Sequence, residues 1–284
     1  MSHSIHLTIP KEVKEDGWVL GKGYKMLDPG IHLAYEDVAV TPRSDRRPPS
    51  PSMESVLEEA YYITRTEIWD LYHGTYTTPS GQSKPVLIHI TSTCQFPRYR
   101  PPNPPDFISS RERFSSRQLP SVARKEARFI QKYCHDSLEG MIPSYIGFYK
   151  AILPEPYSWG CEINRMFVMI LGDPGDPVER LVLPLGCLKI DTGSWTRIYE
   201  LYDRFHSLDI CLNVNFHCAN IFYDKTTDRY RLVNLWAAFR LNDESDKRWS
   251  KECMEKLFRK ERDNIAFFKQ LNRERIMSGE PDSN

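Results

Sequence analysis

Regular patterning begins near Ser55. Over residues 60–69 the β-prone side chains Tyr61, Tyr62, Ile63, Ile68 and Trp69 cluster, and residues 72–78 continue in the same style, which predicts strands. Thr78-Pro79-Ser80-Gly81 is a turn signal. The run PVLIHIT, residues 85–91, then has the length and composition of a buried strand. Together these segments predict an antiparallel hairpin or meander. Residues 96–120 replace pattern with proline, arginine and serine, a loop longer than a compact domain usually needs. A helix follows, capped by Ser121, with Val122, Phe129, Ile130 and Tyr133 on one face. Glu126 falls on that face, four residues after Val122 and four before Ile130. A carboxylate placed there is partly buried and calls for a cationic partner; at the edge of the helix it is simply solvated.

Residues 142–151 predict a turn and a strand, and residues 165–171, RMFVMIL, a second buried strand. Gly172-Asp173-Pro174-Gly175 ends it and marks the best lobe boundary. Residues 194–208 form an amphipathic pattern with Ile198, Leu201, Tyr202, Phe205 and Leu208 on one side. Short strands are expected within 210–222 and 230–235, and a closing helix over 249–276 carries a stripe of Met254, Leu257, Phe258, Ile265, Phe268 and Leu271. The first 55 residues lack periodic pattern, and residues 41–52, TPRSDRRPPSPS, have the composition of an exposed linker. Residues 41–54 are expected to be flexible, with Ser50 a phosphorylation candidate beside Arg46 and Arg47. The order of elements is α+β, with a β-rich first half and a helical second half.

Composition narrows the function classes. The chain has 284 residues, enough for two lobes with a real core. Its 38 basic and 38 acidic side chains cancel, which argues against a broad nucleic-acid surface. No apolar run is long enough to span a bilayer, and the first residues carry no targeting pattern, so a cytosolic or nuclear protein is expected. The seven cysteines form no C-x-x-C pair and read as reduced thiols. His217-Cys218 has no second pair at ligand spacing, so no metal site is expected. The basic run from Arg111 to Arg128 reads as a solvated face.

Three segments in order resemble the protein-kinase-like fold, especially the short, divergent kinase-like domains common in fungi. EARFIQKY followed by GMIPSYIGFYKA is similar to the glutamate-bearing αC helix and the turn into the next strand. FHSLDICLNVNFHCANIFYD, residues 205–224, is similar to the catalytic-loop run, and RLVNLWAA, residues 231–238, to the metal-binding strand. The resemblance implies a bilobal fold with an antiparallel first lobe (58–172, after an extension over 1–57) and a reduced helical second lobe (173–284).

It also implies which positions carried the chemistry, and most depart from the pattern. Asn220 matches the magnesium-binding asparagine. Counting back from it puts Asn215 at the position of the catalytic carboxylate, whereas counting from His206 puts Val214 there; neither is an acid. Asn234 stands for the metal-binding aspartate, His89 for the phosphate-gripping lysine, and only Gly74 remains of the glycine-rich loop. Near neutral pH an asparagine amide accepts no proton, and it offers magnesium a neutral oxygen. Side-chain amides at Asn215 and Asn234 can instead hold loops together by hydrogen bonds. Asp224 and Asp228 are near in sequence but on the turn side of the hairpin. The expectation is therefore a pseudokinase-like binding or scaffold module with a vestigial cleft at His89, Glu126, Asn220 and Asn234. It needs no cofactor, retains weak magnesium–ATP binding at most, and takes a protein partner rather than nucleic acid or membrane. The alternative is a divergent phosphotransferase using other residues. His89 and Glu126 are expected to face each other as a substitute for the family's lysine–glutamate pair.

Overall fold

The computed structural model of the chain describes residues 4–7, 31–38, 55–99, 114–153, 164–178, 182–183, 187–188, 192–212, 220–240 and 250–278. The chain divides into two compact units. The first comprises Met1–Gln131 and Ser144–Asp173, and the second Lys132–Pro143 and Pro174–Asn284.

The first unit is a closed barrel of seven strands: β1 (Ser4–Leu7), β2 (Ile31–Tyr35), β3 (Ser55–Arg65), β4 (Asp70–Thr77), β5 (Ser83–Ser92), β6 (Tyr145–Ile152) and β7 (Arg165–Gly172), in the order β1-β2-β6-β7-β5-β4-β3. Every neighbouring pair is antiparallel except β1 with β3, whose parallel pairing closes the ring. The β4–β5 hairpin turns where the sequence predicts: the Gly81 amide donates to the Thr78 carbonyl at 2.9 Å, and Gly81 takes a φ of +82°, which a glycine adopts without a Cβ clash. Strand alternation sorts the core. Val86, Ile88 and Ile90 of β5 and Met166, Val168 and Ile170 of β7 join Ile5, Leu7, Leu33 and Leu57 in one buried apolar cluster. The opposite faces of the same strands, Leu87 and His89 on β5 and Phe167, Met169 and Leu171 on β7, are buried too. This is why β7 reads as an unbroken apolar run and β5 as one interrupted only by His89. The helix α1 (Leu119–Tyr133) lies against that outer face, with the Arg124 guanidinium 5.4 Å from the centre of the Phe167 ring.

The second unit holds short strands β8 (Asp176–Pro177), β9 (Val182–Leu183), β10 (Cys187–Leu188), β11 (Ile210–Cys211), β12 (Ile221–Asp224), β13 (Arg229–Leu232) and β14 (Phe239–Arg240), with helices α2 (Thr192–Ser207) and α3 (Lys251–Ser278). The strands make a three-stranded sheet β13-β12-β8 and the pairs β10-β9 and β11-β14. Trp195, Ile198 and Phe205 of α2 are buried, and α3 inserts Met254 beside Cys211 and Phe239.

This architecture corrects the expected fold class. A kinase-like bilobal fold has an open sheet in its first lobe and a helical second lobe. Here the structure is mostly β, with three α-helices among the described residues, and its principal sheet is a closed seven-stranded barrel. The physical cause lies at the start of the chain. β1 and β2, four and five residues long, come from the region that lacks visible periodicity. They pair with the free edges of β3 and β6, so the sheet of the first unit closes on itself. In the second half the two expected helices form, as α2 and α3, but strands of two to four residues accompany them among the described residues, so the second unit is mixed rather than helical. Residues 41–54, including Ser50, lie outside the described residues. No helix among the described residues is long and apolar enough to cross a membrane.

Candidate functional site

The sequence marks His89 and Glu126 in the first unit and Asn220 and Asn234 in the second. His89 sits in β5, in register with Leu71 of β4 and Met169 of β7, and is fully buried. Neither ring nitrogen has a hydrogen-bond partner. Burial alone pushes its pKa from 6.5 down to about 3, so the ring is neutral near physiological pH. Glu126, fully buried on the apolar face of α1, accepts a hydrogen bond of 2.6 Å from the Trp69 indole Nε1. Trp69 also packs against His89, with ring centroids 5.5 Å apart. The expected His89–Glu126 pair is therefore not formed. An indole beside both residues supplies the donor, and a dry, uncharged histidine cannot act as the cation that a phosphate-gripping lysine would be.

Two further carboxylates of the first unit are structural. Asp70, at the start of β4, is buried and takes hydrogen bonds from Arg65 at 2.8 Å and Gln95 at 3.0 Å. Glu36, just past β2, receives Arg124 at 2.5 Å and Lys150 at 3.3 Å. Burial pushes the Glu36 carboxyl up, but the hydrogen bonds and charges of Arg124 and Lys150 outweigh that and hold it below its ordinary value.

In the second unit Asn220 and Asn234 are both buried and meet directly. The Asn234 amide donates to the Asn220 side-chain oxygen at 3.1 Å, and the Val233 amide donates to the Asn220 carbonyl at 3.0 Å. These bonds tie the entry of β12 to the exit of β13. Asn215, and with it His217-Cys218, lies outside the described residues. Asp224 and Asp228 flank the turn of the β12–β13 hairpin, and both are engaged there. Asp224 accepts from the Thr226 and Thr227 hydroxyls and pairs with Arg231 at 2.9 Å. Desolvation opposes ionisation of Asp224, but the threonine hydrogen bonds and the Arg231 charge prevail and hold its carboxyl far below the usual range. Asp228 pairs with Arg197 and accepts from the Tyr223 hydroxyl at 2.5 Å.

Sequence reasoning misses a buried cluster between α2, β11 and α3. Glu261 accepts from the Cys211 thiol at 3.2 Å, and its other oxygen meets His206 Nε2 at 2.8 Å, with the Phe258 ring stacked on the imidazole at 4.3 Å. A signal existed: Glu261 interrupts the apolar stripe of α3, three residues after Phe258 and four before Ile265, as Glu126 interrupts that of α1. Among the described residues no group of histidine, cysteine and carboxylate side chains is arranged to hold a metal ion. The second unit also carries a cavity of about 240 Å³ between α2 and the β12–β13 turn, lined by Arg197, Glu200, Arg204, Asp228, Arg229 and Tyr230. No family model matches the chain, and no curated protein matches it.

Proposed function

We propose that the chain is a binding or scaffold module that works through a protein partner and transfers no phosphoryl group. The observation that carries this reading is the Asn220–Asn234 hydrogen bond in a buried setting. Phosphoryl transfer depends on charged groups aimed at phosphate and metal. Here two neutral amides are aimed at each other. The dry, neutral ring of His89 and the indole-bound Glu126 favour the same reading, because one carries no charge and the other is engaged inside the fold. The balanced charge of the chain favours a protein partner over nucleic acid, and free thiols at Cys94, Cys134, Cys211 and Cys253 suit a reducing compartment, the cytosol or nucleus. On this reading no cofactor is required.

The test is incubation of the purified chain with γ-labelled ATP and magnesium, alone and with generic protein substrates. No label is expected on the chain or on any substrate. Label transfer that disappears in Asn220→Ala would sink the reading and put a divergent phosphotransferase in its place.

A further inference from the structure

Among the described residues, the cavity lined by α2 and the β12–β13 turn gathers charged side chains around one space. It has two walls. One is the face of α2 that carries Arg197, Glu200 and Arg204, spaced three and four residues apart and therefore side by side. The other is the β12–β13 turn with Asp228, Arg229 and Tyr230. Three guanidinium groups face two carboxylates, which leaves one excess positive charge.

The charges are not equivalent. Arg197 is committed to Asp228 and lies over the rings of Tyr223 and Tyr230, with centroid distances of 5.7 and 5.3 Å. That pair balances one of the three cations at the cavity wall. Arg204 and Arg229 are exposed and have no carboxylate partner among the described residues. Gly140 lies beside one of them. A Cβ built there would stand 2.8 Å from a terminal nitrogen of Arg229, and Gly140 has a φ of +74°, which side-chain-bearing residues seldom adopt.

We propose that Arg204 and Arg229 form a binding site for a phosphate-type oxyanion, free or carried on a peptide side chain. Planar guanidinium groups match such oxygens bidentately. Drug-sized pockets occupy about 300–1,000 Å³, so a cavity of about 240 Å³ suits one anionic group and the first atoms attached to it rather than a whole nucleotide. Glu200 on the same wall disfavours a second anionic group and offers an acceptor to a ligand N–H or O–H. The proposal rests on the binding-module reading, since it supplies the chemistry by which a partner would be recognised.

Titration calorimetry with inorganic phosphate, with a short phosphoserine peptide and with the same peptide unphosphorylated tests the proposal. Saturable binding of phosphate or of the phosphopeptide is expected, at least tenfold weaker for the unphosphorylated peptide. Arg204→Gln and Arg229→Gln should each weaken it at least tenfold. Both positions are exposed, so the fold should tolerate the changes; circular dichroism checks this. Lys256→Gln, which removes the same charge from an exposed site on α3, should bind as the unmodified chain does. The stronger of the two phosphate ligands identifies the source of the oxyanion. Absence of saturable binding to both, or equal affinities in the arginine variants and Lys256→Gln, overturns the proposal. Either failure leaves the non-catalytic reading standing, because that reading falls only on label transfer from ATP.

Discussion

His89 has no hydrogen-bond partner at either ring nitrogen and holds its proton only below about pH 3 in the folded chain. Unfolded, it takes up a proton near 6.5. Between those values the unfolded state binds more protons than the folded one, so stability is fully present above about pH 6.5 and falls with pH below it, by up to about 1.4 kcal/mol per pH unit. Urea unfolding at pH 7 and at pH 5 should therefore differ by about 2 kcal/mol on account of this residue, and His89→Met should remove that difference. Met also leaves no polar atom buried without a partner, so stability at pH 7 should hold or rise. An unchanged acid sensitivity in His89→Met would mean that the ring is hydrated or paired. The Asn220–Asn234 contact makes a complementary prediction. Truncating either residue to alanine removes the Asn234–Asn220 side-chain bond and should cost about 1–3 kcal/mol, whereas the double variant should cost clearly less than the sum of the singles. Additive losses would show that the two amides serve separate partners.

At the scale of elements, β1 and β2 decide the architecture. They place Ile5, Leu7 and Leu33 in the barrel interior, fully buried, and cover the edges of β3 and β6. Burying three such side chains contributes roughly 5–9 kcal/mol, comparable to the whole stability of a typical domain, about 5–15 kcal/mol. A chain starting at Ser55 should be insoluble or unfolded, with two bare strand edges open to aggregation. Its recovery as a soluble, cooperatively unfolding monomer would contradict the closed barrel. These two strands are also where sequence reasoning fails most. β5, β7 and α1 are legible because elements of eight to fifteen residues leave room for a largely apolar run or a helical stripe. A strand of four residues gives only one alternation, Ile5-His6-Leu7, and its role depends on a parallel pairing with residues some fifty positions away. Site residues follow the same rule. The burial of Glu126 is legible from its spacing to Val122 and Ile130, but its partner Trp69 is 57 positions distant, and no periodicity reports such a contact. The arginines of the cavity carry no signature either, since Arg197 and Arg204 sit on an ordinary polar helix face.

The whole molecule comprises a barrel unit and a second unit of short sheets and helices, and in each the described polar residues first marked as functional, His89, Glu126, Asn220 and Asn234, are bonded to neighbours or sealed from solvent. Magnesium-dependent nucleotide binding is the property that a phosphotransfer site at Asn220 and Asn234 could not lack. A ligand at one hundred times its dissociation constant stabilises the folded state by about 2.7 kcal/mol, an obvious rise in melting temperature. An oxyanion site at Arg204 and Arg229 could respond to ATP without magnesium, so the informative quantity is the difference between melting temperatures in millimolar ATP with and without magnesium, corrected for magnesium alone. For the unmodified chain and for Asn220→Ala the predicted difference is zero. A rise of several degrees that requires magnesium in the unmodified chain and vanishes in Asn220→Ala would show that the amide pair opens to hold a metal–nucleotide complex, and would contradict the account.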